Sequence, residues 1–117
     1  MTDLIAFLST GKGTWGQVSG LINSDEWDNV YLLTNDFGKE KFKPNEKTKL
    51  IVLNTDNNEE QMRDEIIKNL KGKLSGEAGV NFISGSGKEH MALMSALINI
   101  GIGFRFVISS QDGIKEL

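Results

Sequence analysis

Five short apolar runs, at residues 4–8, 30–33, 50–53, 80–83 and 104–108, recur without the strict polar alternation of a half-exposed strand. Strands of that kind are covered on both faces, as in a parallel sheet held between helices. Parallel neighbours need crossover connections, and the segments between the runs are long enough to supply them. The pattern predicts an α/β fold: a Rossmann-like open, mostly parallel β-sheet with helices on both faces. A chain of 117 residues builds one such core, so residues 1–117 are read as a single ligand-binding domain.

The spacers carry helix signals of unequal strength. Thr14 and, three residues on, Gln17 make a capping-box pair for a short helix ending near Ser24. Asp56 and Glu59 offer the start of the clearest helix, in which Met62, Ile66 and Leu70, with Leu74 beyond, recur at four-residue spacing. Gly72 and Gly76 mark its end. Ser86 and Glu89 form another capping-box pair, opening a helix whose expected buried stripe is Met91, Met94, Leu97 and Ile98 before Gly101 and Gly103 release the chain. Residues 34–49 lack a long apolar period and hold the only proline, Pro44. A crossover helix is preferred there over a small antiparallel strand around Phe42, because the flanking strands read as parallel.

Composition then narrows the chemistry. Without cysteine there is neither a disulfide nor a thiolate metal site, and one histidine does not make a His-rich cluster. No cofactor and no resident metal are expected, although the carboxylates leave magnesium chemically open. A net charge of −3 argues against broad duplex nucleic-acid binding, which draws its affinity from many Lys and Arg contacts. It is compatible with a small anion held by backbone N–H groups and one or two cations. The apolar run at residues 4–8 follows an acid and is too short for a signal peptide or a membrane span, so a cytoplasmic location off the membrane is expected.

In open parallel sheets the ligand crevice lies beyond the C-terminal strand ends. Two junctions there are rich in small polar residues: Ser9, Thr10, Gly11, Lys12, Gly13 and Thr14 after the first run, and Ser84, Gly85, Ser86, Gly87 and Lys88 after the fourth. Each joins glycines, which let amides turn toward an anion, with hydroxyl donors, one lysine and a following helix N-terminus. Such turns also serve geometry and capping when nothing binds. Neither meets the P-loop pattern or the three-glycine dinucleotide fingerprint, which disfavours ordinary nucleoside triphosphate hydrolysis and NAD-linked hydride transfer. Asn35-Asp36 and Asn54-Thr55-Asp56 follow two other runs; they suit a ribose or base edge, and equally suit Asx turns and caps. Trp15 either stacks on a base or packs on the sheet. His90 is either a base or a partly exposed helix residue.

The stretch Val80-Asn81-Phe82-Ile83-Ser84-Gly85-Ser86-Gly87-Lys88-Glu89-His90-Met91, with the Ala/Leu-rich helix through Leu97 and the strand beyond Gly103, resembles the CRISPR-associated Rossmann-fold (CARF) sensor domains. The run at residues 4–8 with Ser9-Thr10 looks like the other half of that family's ligand site. The resemblance implies a stand-alone homodimer binding a cyclic oligoadenylate, the ring-shaped RNA messenger of type III CRISPR antiviral defence. Some relatives also cleave the ring without metal, by attack of a ribose 2′-OH on the adjacent phosphodiester. On that implication Ser9 or Thr10 positions the ribose-phosphate and Lys88 stabilises the developing charge, while Gly11, Lys12, Gly13, Thr14, Asn35, Ser84, Gly85, Ser86 and Gly87 bind the ligand. Lys88 stands three residues before Met91, one more than in the family pattern. Three functions stay open: a nucleotide sensor or sink, a ring nuclease, and a structural or protein-interaction domain.

Overall fold

A computed structural model describes residues 2–9, 12–23, 27–74 and 76–117. The strands are β1 (Asp3–Leu8), β2 (Val30–Thr34), β3 (Thr48–Val52), β4 (Ala78–Asn81), β5 (Phe104–Ser110) and β6 (Gly113–Glu116). The helices are α1 (Trp15–Asn23), entered through a 3-10 turn at Lys12–Thr14, α2 (Asp36–Lys41), α3 (Glu59–Leu70) and α4 (Gly87–Ile100). The six strands form one sheet in the order β3-β2-β1-β4-β5-β6, with every pair parallel except the terminal β5–β6 hairpin. This is the expected Rossmann-like open, mostly parallel α/β fold.

All six residues of β1 are buried, which explains why its sequence does not alternate. Ile5 and Phe7 pack toward α3 and α4, whereas Leu4, Ala6 and Leu8 pack toward α1. Met62, Ile66 and Leu70 of α3 are fully buried against the first face, as their spacing predicted. Truncating any one of them to alanine should cost about 2–5 kcal/mol. No helix among the described residues is long and apolar enough to cross a membrane.

Residues 34–49 do form a crossover. Asn35 caps the short α2, its Oδ1 accepting from Gly38 N–H at 2.9 Å, and Phe42 closes that helix instead of entering an antiparallel strand. Gly38 is required because a Cβ there would overlap Thr34 Oγ1 and approach Leu8 O at 2.9 Å.

Local boundaries depart from the sequence expectations at identifiable residues. The N-cap of α3 is Asn58, in a full capping box with Gln61, and not Asp56 with Glu59. Asp56 is engaged one turn earlier, where its N–H donates to Asn54 Oδ1 at 2.9 Å. Strand β4 stops at Asn81, whose Oδ1 takes Ile83 N–H at 3.0 Å and whose Nδ2 donates to Val107 O at 2.8 Å, turning the chain out of the sheet. On α4 the expected stripe is wrong in three of its four members. Ala92, Leu93, Ala96 and Leu97 face the core, while Met91 is 64% and Ile98 67% exposed, with Met94 also exposed.

Candidate functional site

Strand β1 lies between β2 and β4, so chain connectivity reverses direction across the sheet at the β1–β4 boundary. That boundary opens a crevice at the C-terminal strand ends. Ser9 leaves β1 there and the 84–89 turn leaves β4. The two are tied directly: Ser9 N–H donates to Ser84 Oγ at 3.1 Å, and Ser9 Oγ donates to Glu89 Oε1 at 2.8 Å. Glu89 Oε1 also accepts Ser86 N–H at 2.8 Å, while Ser86 Oγ accepts Glu89 N–H, the capping box expected at the start of α4. Ser9, Ser84 and Glu89 are all buried.

The turn takes its shape from Gly85 and His90. Gly85 adopts φ +104°, and a Cβ there would meet His90 Nε2 at 2.9 Å and Glu89 Oε1 at 3.2 Å. His90 is half-buried; its ring stacks on Phe82 with centroids 4.5 Å apart, meets Phe7 edge-on, and places Nε2 2.8 Å from Ser84 O. Nε2 is therefore the protonated donor, and His90 pins the turn.

Lys88 is also engaged. Its ammonium donates to Thr55 O at 3.0 Å and Asn57 O at 2.8 Å, bridging the start of α4 to the loop before α3. One of its three donors remains. The amides of Gly87 and Lys88, the first two of α4, have no intrahelical acceptor and point out of the helix N-terminus. Lys88 borders a cavity of about 180 Å³ whose wall also includes Ser9, Asn35, Thr55, Ser86 and Glu89. This edge offers an anion two amides, the helix dipole and one ammonium N–H, beside the buried Glu89 carboxylate, whose Oε1 already accepts two hydrogen bonds.

Of the residues singled out from the sequence, the structure brings together Ser9, Asn35, Ser84, Gly85, Ser86, Gly87 and Lys88. Gly13 and Thr14 lie in the 3-10 turn ahead of α1. Thr10 and Gly11 lie outside the described residues, and so does the side chain of Lys12. Trp15 packs against Phe37 and Phe42 at 5.8 and 6.5 Å, the packing alternative of its two readings. Sequence reasoning treated Glu89 only as a capping partner, and its bond to Ser9, 80 residues away, leaves no local signature. It also missed that Lys88 would find backbone acceptors beyond β3.

A larger cavity, about 530 Å³, opens at the ends of β2 and β3 and shares Asn35 and Thr55 with the smaller one. Among the described residues no group of three or more His, Cys, Asp and Glu side chains could hold a metal ion. No protein-family model and no curated protein matches the chain.

Proposed function

We propose that the protein binds a phosphate-rich nucleotide at the β1–β4 boundary, with a cyclic oligoadenylate messenger as the favoured ligand. A Rossmann-like fold is broadly compatible with nucleotide binding, and one observation carries the assignment to this edge. The turn that leaves β4 is locked to the end of β1 through Ser9, Ser84 and Glu89, and this fixes the start of α4, where the amides of Gly87 and Lys88 have no intrahelical acceptor. A turn needed only for chain reversal does not require that long-range lock. A homodimer belongs to the same reading. Met91, Met94 and Ile98 make an exposed apolar stripe along the helix whose N-terminus borders the site, and Ile83, 44% exposed, lies in the turn before it.

Binding is favoured over turnover. Ser9 Oγ–H is donated to Glu89, and two donors of Lys88 are held by backbone carbonyls, so these two candidate catalytic groups, the ones among the described residues, are engaged in holding the site. The test is calorimetry of the purified chain with cyclic tetra-adenylate and cyclic hexa-adenylate, without metal, followed by analysis for linear products. Saturable heat without products supports a sensor or sink, and products would move the assignment to a ring nuclease. Absence of both heat and products with either ring overturns it.

A further inference from the structure

The cavity at the ends of β2 and β3 differs in chemistry from the one beside the start of α4. Among the described residues its lining includes Asp36, Asp56 and Glu65 and no basic side chain, so that lining disfavours an anionic group and favours hydrogen-bond donors. Glu65 Oε1 on its wall is fully buried with no hydrogen-bond partner among the described residues, an acceptor whose desolvation is not offset there. Phe37, 47% exposed, adds an aromatic ring that is tilted against Trp15 on one side. Acceptors beside an accessible ring match the hydroxyls, amine and flat face of a nucleoside. Asn35 and Thr55 line both cavities, which places the acceptor-rich one next to the one at the start of α4.

We infer that the cavity at the ends of β2 and β3 is the nucleoside half of the site. The base lies on Phe37, and the 2′-OH, the one free hydroxyl of each ribose in the ring, donates to Asp36 or Asp56, while the phosphate sits past Asn35 and Thr55 at the start of α4. This assignment rests on the phosphate-binding role proposed above and adds a recognition rule. Ribose is preferred over deoxyribose through acceptors that never touch the phosphate.

The test compares cyclic tetra-adenylate and cyclic hexa-adenylate with their all-2′-deoxy counterparts, by calorimetry of the full chain without metal. Hydrogen bonds from hydroxyls to carboxylates predict that the parent prefers the ribose form by about tenfold or more. The Asp36→Ala, Asp56→Ala double variant should bring that ratio close to one. Taking the ratio cancels the through-space effect of the lost charges on the phosphates. Phe37→Ser should weaken both forms about equally, by roughly five- to a hundredfold. The three side chains are exposed, so melting temperatures should stay near the parent's. An unchanged ratio in a double variant that still binds the rings overturns the nucleoside assignment and leaves the phosphate site standing. Failure of both rings with the parent chain overturns the two together. Magnesium binding that the double variant abolishes, with no ribose preference in the parent, would make the cavity a cation site and also overturn the inference.

Discussion

Gly85→Ala tests whether the turn is held as tightly as its contacts indicate. At φ +104° a residue with a side chain pays about 1–3 kcal/mol in backbone strain. The added methyl would also stand 2.9 Å from His90 Nε2 and 3.2 Å from both Glu89 Oε1 and Phe7 Cβ. His90 cannot yield freely, because its ring is stacked on Phe82 and its Nε2 is bonded to Ser84 O. Glu89 cannot yield without releasing Ser9. Overpacking of this kind costs about 1–3 kcal/mol. The two terms together predict a loss of about 2–6 kcal/mol, which at this chain length lowers the melting temperature by roughly 10–30 °C. Gly87→Ala is the control. A Cβ at Gly87 meets nothing within 4 Å, and alanine is the better helix former, so this variant should melt at or slightly above the parent temperature. Thermal melts by circular dichroism decide the matter. A Gly85→Ala protein that melts within about 3 °C of the parent would refute the packed-turn account, and with it the preorganisation of the α4 amides.

Lys88→Ala should cost about 1–3 kcal/mol of stability in denaturant unfolding, since Thr55 O and Asn57 O both lose a charged donor. It should also weaken cyclic oligoadenylate binding by about 1.5–3 kcal/mol in calorimetry. Ile98→Glu should leave the melting temperature nearly unchanged, because Ile98 is 67% exposed, but should convert a dimer to a monomer in light scattering. Tyr31 is the only tyrosine, and its hydroxyl is held above the usual 10.0 by burial and secondarily by the charge of Asp3. Its raised folded-state value means that its contribution to stability is complete below the unfolded value and is lost as pH rises through the folded one. Ultraviolet titration should therefore show tyrosinate forming above pH 10.0, and the alkaline stability loss of the parent should exceed that of Tyr31→Phe.

The layered architecture was legible because burial on both faces removes polar alternation, and β1 shows this at every residue. What failed was the choice of face on α4. Met91, Met94 and Ile98 and the set Ala92, Leu93, Ala96 and Leu97 both follow helical periodicity, and periodicity alone does not rank them. Side-chain size decided it. Ala92 and Ala96 let α4 lie close to α3, whereas larger methionines there would hold the helices apart. The terminal hairpin was missed for another reason. Gln111-Asp112-Gly113 is a turn signal, with Gly113 at φ +105°, but β6 has only four residues and little alternation to read.

The candidate site was legible in its glycines and hydroxyls and illegible in its hydrogen-bond partners. Ser9 N–H, Ser9 Oγ–H and Ser86 N–H are donors that an anion could have taken, yet each is consumed by Ser84 or Glu89. At the start of α4, the donors left are the amides of Gly87 and Lys88 and one N–H of the Lys88 ammonium. That set holds a single phosphate and does not by itself hold a ring of several. A second copy would double the set, and the exposed apolar stripe lies on the same helix as these amides. If the proposed homodimer encloses the ring, Ile98→Glu should abolish tight ring binding along with dimerisation, although Ile98 is at the opposite end of α4 from the proposed phosphate site. A monomeric variant that binds the ring as tightly as the parent would show that one chain encloses the ligand unaided.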